Sequence, residues 1–332
     1  MDDKVAVLGS LEAVELLLAQ GFRPTRTVYL AFGHDEEIGG HQGAARIASL
    51  LRSRGVRLEY LIDEGLCIGH GLIPGVAAPL AMIGIAEKGR LVLELTARTG
   101  GGHASMPPAQ TAIGILSAAI QRLETNPMPT AMKEPVRQLF ASVGPAMPFL
   151  QRVVLANLWL LEPLVRYQLA GSPSTNALVR TTAAVTMARA GTKENLLPTE
   201  ATATVDFRIL PGDTIAAVME HVSRVINDPR ITIRRLQGSE PSPVSDTTAA
   251  SFNAVAASIQ RAFPDAVVAP GLVIAGTDSK HYISISDAAY RFLPLRLTPE
   301  DLPRIHGTDE RIAVDNYAEI IAFYLQLLRD SA

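Results

Sequence analysis

The sequence predicts an α/β fold interrupted by an α+β domain, on three observations. Up to Ile62, segments with helical apolar spacing alternate with short apolar runs. From about Ile85 the runs alternate apolar and polar residues, the pattern of a sheet with one face in water. After about Pro241 helix and strand patterns return. The simplest organisation is an outer domain at residues 1–84 and 242–332 holding an inserted domain at 85–241.

In chain order, Val5–Gln20 is apolar at helical spacing, with Gly21 where a helix stops. Thr27–Phe32 (TVYLAF) is β-branched and aromatic, a buried strand by pattern. Gly43–Arg54 is the next helix, closed by Gly55, and Leu58–Ile62 the next strand. This alternation predicts a mostly parallel sheet with helices on both faces. The inserted domain reads as strands at Arg90–Thr96, Arg180–Met187, Ala201–Leu210 and Ile231–Leu236. Its helices read at Thr111–Glu124, Val136–Ala170 and Thr214–Ile226. Tyr317–Leu328 is the final helix.

Composition sets outer bounds. With 48% hydrophobic and 19% charged residues in 332, the chain can bury a sizeable core. A net charge of -3 gives no electrostatic case for a nucleic-acid partner. The single cysteine, Cys67, excludes an intrachain disulfide and fits a reducing compartment, so the expected location is cytoplasmic. Asp2, Asp3, Glu12 and Glu15 spoil the basic start and unbroken apolar stretch of a signal peptide. Arg152, Glu162 and Arg166 divide the apolar stretch Pro145–Leu169 below the ~20 residues of a membrane span. No Gly-x-Gly-x-x-Gly follows the first strand, which removes the dinucleotide-binding reading.

The most informative segment is Gly33-His34-Asp35-Glu36-Glu37-Ile38-Gly39-Gly40, directly after a predicted strand, where α/β sheets put their ligands. Adjacent carboxylates repel unless a cation or solvent relieves them. A solvated acidic loop is the ordinary reading of such a run. Asp2 and Asp3 at the first helix, Asp63-Glu64 at a strand end, and His306 in Arg-Ile-His-Gly supply further donors. Carboxylates converging with an imidazole make a hard-to-borderline metal site, though each residue alone is weak.

Taken together, Asp-Asp-Lys, Gly-His-Asp-Glu-Glu-Ile-Gly-Gly, Asp-Glu-Gly, Gly-Gly-His-Ala-Ser, Gly-Thr-Asp-Ser and Arg-Ile-His-Gly resemble the dizinc exopeptidase and amidohydrolase superfamily. Within it the chain looks most like carboxypeptidase S and the N-fatty-acyl amino acid hydrolases, and less like aminoacylase. The resemblance implies a zinc-exopeptidase catalytic domain and an inserted lid or dimerisation domain. The implied reaction is hydrolysis of an amide or peptide bond next to a free carboxylate, in a small peptide or an N-acyl amino acid.

By the same resemblance, Asp2 bridges two zinc ions, Glu37 and His306 complete one shell, and Asp63 or Glu64 serves the other. Glu36 is the general base that takes a proton from activated water. His103, from the inserted domain, stabilises the oxyanion in a partner subunit's site, which implies a homodimer. Asn176 and Arg208 hold the substrate carboxylate, for which the planar guanidinium is suited. Thr277, Asp278 and Ser279 match a motif near the metals, where a structural role is expected. The apolar stretch around Phe149–Leu164 reads either as packing surface or as a wall for a long acyl chain.

The family carries a His-x-Asp motif upstream of the bridging aspartate, and none of the seven histidines here opens one. The expectation is therefore a shortened catalytic domain with one well-served ion, weak or absent hydrolysis and a tendency to aggregate. The competing expectation is a catalytically inactive dimerisation or binding fragment.

Overall fold

The computed structural model describes residues 2–73 and 75–331. The chain divides into two compact units, Met1–Glu87 with Glu134–Glu162 and Pro243–Ala332, and Lys88–Lys133 with Pro163–Ser242.

The first unit is built on a four-stranded sheet in the order Leu61–Gly69, Ala289–Leu297, Leu80–Glu87, Val267–Val273. The longer pairings are parallel: Leu61 lies opposite Ala289, and Leu80 opposite Val267. The two parallel pairs join antiparallel, with Arg291 opposite Gly84 and Ile68 opposite Ala81. Ile68, Ile83, Ile85, Tyr290 and Phe292 from these strands pack with Phe252, Val255 and Ile259 of helix Ala250–Ala262, and with Phe323 and Leu327 of helix Val314–Ser331. The i, i+3 and i, i+4 spacing of those helical residues presents one apolar stripe per helix, as an amphipathic helix requires. Helix Lys4–Ala19 buries Val5, Gly9, Ala13 and Leu17, again four apart. Gly9 is required there, because a Cβ would stand 2.8 Å from the Ile320 side chain. Helix Ala44–Ser53 buries Ala44, Ala48 and Leu51 against Tyr282 and Ile285.

Three expectations change. Thr27–Phe32 forms no ladder; Val28, Tyr29, Leu30 and Phe32 are exposed. Strand propensity needs a hydrogen-bonding neighbour, and among the described residues no strand runs beside this segment. Such an exposed β-prone run is a self-association hazard. The strand expected at Leu58–Ile62 starts at Leu61 and continues to Gly69, so Asp63 and Glu64 lie inside it rather than at its end. The helical stretch expected in the inserted domain splits into Glu134–Val143, Phe149–Ala156 and Leu158–Leu169. Its front half packs on the first unit, where Leu139, Val143 and Met147 meet Val76, Leu80 and Ala269. Phe149, Leu150 and Trp159 are exposed, so core packing is not what they do.

The second unit is an antiparallel sheet, Thr182–Ala190, Glu200–Ile209, Gly89–Arg98, Ile231–Ser239, under helices Ala112–Thr125 and Ile215–Ile226. Burial alternates along Glu200–Ile209, and Leu91, Leu93, Leu95, Val205 and Phe207 pack against Ile115, Ala119, Val218 and Val222. Thr111 and Thr214 cap the two helices, their hydroxyls accepting from the Gly114 and Ala217 amides. Among the described residues no helix is long and apolar enough to cross a membrane.

Candidate metal centre

The site grows out of three backbone features of the first unit. Glu36–Ile38 is a single 3-10 turn followed by Gly39 and Gly40, both with positive φ. Asp35 anchors this turn to the next helix, its carboxylate accepting from the Gln42 and Gly43 amides at 2.7 and 2.8 Å. Those amide bonds, the Gln42 one foremost, hold its carboxyl below the usual range. The second feature is a register slip between Asp63 and Leu66, with Gly65 at φ +143°, which turns Glu64 out of the ladder. The third is His306, held at φ +57°, a conformation uncommon for a residue with a side chain.

These features bring Asp2, Glu37 and His306 together. His306 Nε2 lies 3.1 Å from Asp2 Oδ2 and 3.3 Å from Glu37 Oε1. One donor atom from each lies within 4.8 Å of the other two, and Asp2, Asp3 and Glu64 form a second such group that shares Asp2. Two ligands ~2.1 Å from a tetrahedral ion stand about 3.4 Å apart, so the first group has the spacing of a shared ion. A protonated imidazole between two carboxylates has the same spacing, and metal content separates the two cases.

Electrostatics favour a cation. Asp3 is pushed up to about 7 by burial first, then by the charges of Asp63, Asp2 and Glu36. Its Oδ1 is buried without a hydrogen-bond partner. Glu36 is also pushed up to about 7, by burial first and then by Asp278. Glu64 is raised by burial first, then by its hydrogen bond with Asp2 and the charges of Asp2 and Asp3. Carboxyls that resist ionisation beside the His306 imidazole fit a borderline divalent ion such as zinc.

These shifts give a pH prediction. A carboxyl raised from 4.5 to about 7 binds more protons folded than unfolded across that interval, so stability falls as pH rises through it. In a chelator, native protein is expected to lose more Tm between about pH 5 and about pH 7.5 than Glu36→Gln, whose amide never ionises. Parallel melting profiles contradict the shift.

Of the predicted metal ligands, Asp63 is the one that neither donor group includes. Its oxygens accept from the Ser279 amide at 2.6 Å and the Glu64 amide at 3.0 Å. Asp278 stands against the Glu36-Glu37 loop: a Cβ on Gly40 would be 1.9 Å from its Oδ1, and one on Gly33 2.8 Å from its Oδ2. His281 bonds the Gly39 carbonyl at 2.9 Å.

His103, Asn176 and Arg208 belong to the second unit. His103 is exposed, with Nδ1 2.8 Å from Ser105 Oγ. Asn176 Oδ1 accepts from Arg180 Nε at 2.9 Å and lines a cavity of about 300 Å³ with Arg180, Met128 and Phe207. Arg208 pairs with Asp206 at 3.0 Å. Sequence reasoning passed over two residues. Asn195, whose carbonyl accepts from Ala104 beside His103, has a buried Oδ1 without a partner; a lone asparagine in a loop carries no sequence signal. Arg291 does carry one, as the charge inside the otherwise apolar run Ala289–Leu293.

Comparison with known proteins follows the same lines. The model of peptidase family M20/M25/M40 matches residues 1–330. The chain is 44% identical over 334 residues to a probable carboxypeptidase S-like 2 of Dictyostelium discoideum, covering 100% of this chain and 64% of that protein. It is 42% identical over 334 residues to N-fatty-acyl-amino acid synthase/hydrolase PM20D1.1 of Danio rerio, covering 100% and 65%. It thus spans just under two thirds of the length of these relatives. The solved M20 metallo-carboxypeptidase Sso-CP2 of Sulfolobus solfataricus superposes with a TM-score of 0.68 at 18% identity, covering 99% of this chain and 75% of that one.

Proposed function

Because the chain belongs to peptidase family M20/M25/M40, we propose that it hydrolyses the amide bond of a small peptide or N-acyl amino acid beside a free carboxylate. The observation that carries this reading is the convergence of Asp2, Glu37 and His306 beside Glu36. These three residues would hold one zinc ion, which when bound would supply Lewis acidity to activate water and polarise the scissile carbonyl. Asp2, Asp3 and Glu64, all carboxylates, form a weaker second position. Glu36 takes the proton from the attacking water and returns it to the leaving amine. Its carboxyl is half-buried beside Glu37, and burial raises it above the ordinary glutamate range. Arg208 receives the substrate carboxylate, and Asn176 supports it. His103 serves the oxyanion of a second subunit; what supports a homodimer is the exposed outer strand Thr182–Ala190.

The test compares an N-acyl amino acid with its carboxyl methyl ester, in zinc and in chelator. A charged hydrogen bond contributes ~1.5–3 kcal/mol, so the free acid is expected to react about 10–100-fold faster in kcat/KM, and only with zinc. Equal rates overturn the carboxylate assignment. No zinc-dependent hydrolysis returns the chain to the reading of a binding module.

A further inference from the structure

Arg291 is a buried cation that the reaction does not call for. It sits in the centre of strand Ala289–Leu297 at 0% exposure, opposite Gly84. Room for it comes from two glycines. A Cβ on Gly65 would stand 2.7 Å from the Arg291 Cβ, and one on Gly84 3.0 Å from it. Its guanidinium is 3.4 Å from Glu87, itself 3% exposed. Nε donates to Ser279 Oγ at 2.9 Å and Nη1 to the Ala289 carbonyl at 3.0 Å. Glu87 Oε2 accepts from the Thr277 amide at 3.1 Å and from its hydroxyl at 3.0 Å. Thr277 and Ser279 bond each other at 2.7 Å.

The turn these groups hold touches both acidic segments. The Ser279 amide donates to Asp63 Oδ2 at 2.6 Å, and Asp278, between the two, lies against Gly33 and Gly40 on either side of Glu36-Glu37. We propose that Arg291, with Glu87, Thr277 and Ser279, is a positioning cluster that registers the Glu36-Glu37 loop against the Asp63-Glu64 bulge and thereby sets the ion affinity of the site. The inference rests on the metal-site reading above. A buried ion pair is a weak source of stability, since apolar replacements often do as well. Its bonds converge on the turn that carries Asp278 and Ser279, so orientation is the function left for it. Groups bonded directly to metal ligands are worth ~10–100-fold in affinity, and this cluster, which reaches the donors through Asp278 and Asp63, belongs at the lower end of that range.

The test uses the whole chain. Arg291→Met alone takes the Arg291 counter-charge away from the buried Glu87, so the informative variant is Arg291→Met/Glu87→Gln, which removes both charges and keeps an acceptor for Thr277. Ser279→Ala breaks the link to Arg291 while keeping the amide bonded to Asp63, and serves alone if the double variant does not fold. Zinc Kd is read by competition with a chromophoric chelator, and Tm in excess chelator. The expected result is an about 10-fold weaker Kd at a near-native chelated Tm. A native-like zinc Kd in the variants overturns the positioning role while leaving the metal site standing. A native chain that binds no zinc overturns the metal reading and this inference with it.

Discussion

Glu36→Gln is expected to lower zinc-supported hydrolysis by ~10²–10⁴-fold while leaving the zinc content of the chain unchanged. Glutamine has the shape of glutamate but cannot accept a proton, so only the proton transfer is removed. The split between rate and binding follows from the turn at Glu36–Ile38. Neighbouring residues in a 3-10 turn point in different directions, and it is Glu37 that meets His306 at 3.3 Å. Glu36 belongs to neither donor group, and the charge of Asp278 adds to burial in raising its carboxyl to about 7. Release of free amino acid gives the rate, and elemental analysis of the same sample gives the zinc. Loss of zinc with the rate makes Glu36 a ligand and ends its assignment as the base.

Gly40→Ala is expected to destabilise the first unit by about 2–5 kcal/mol, summing ~1–2 kcal/mol for an L-residue in the left-handed region and ~1–3 kcal/mol for overpacking. The φ of +70° sets the first contribution. The second comes from Asp278, whose Oδ1 would lie 1.9 Å from the new Cβ. Gly55→Ala is the matched control, because Gly55 has φ +69° and nothing within 4 Å of its Cβ position. It carries the backbone cost alone, ~1–2 kcal/mol. Urea unfolding of both variants measures the difference. Equal losses mean that Asp278 does not press on the loop, which also removes one arm of the positioning cluster.

What was legible in the sequence depended on whether a segment carries its own reason for its structure. The strands and helices of the second unit were, because alternation along Glu200–Ile209 and the Thr111 and Thr214 caps are local signals. The meeting of Asp2, Glu37 and His306 was legible only through ordered motifs, since no local pattern joins residues that far apart. Thr27–Phe32 misled because β-branched composition states a preference, while a ladder needs a neighbour. The ordered motifs keep both Asp63 and Glu64 as candidate ligands, with the glycine that follows favouring Glu64. The slip at Gly65 sends Glu64 to the acids, while Asp63 accepts from Ser279. Segment 134–162 failed for a related reason: an amphipathic helix does not announce which core it covers, and Leu139 and Val143 joined Val76 and Ala269. Arg291 was readable, as a charge in an apolar strand always asks for a partner.

Bound zinc is what distinguishes a metal centre from an ion-paired imidazole at His306. Zinc per chain, counted by elemental analysis after dialysis against zinc and then against metal-free buffer, is the direct measurement, with His306→Ala alongside. One retained zinc per native chain and none in His306→Ala is the predicted result, because Asp2, Glu37 and His306 together offer the three donors of a firm site. A native chain that keeps no zinc, or a His306→Ala chain that keeps as much as the native one, contradicts it.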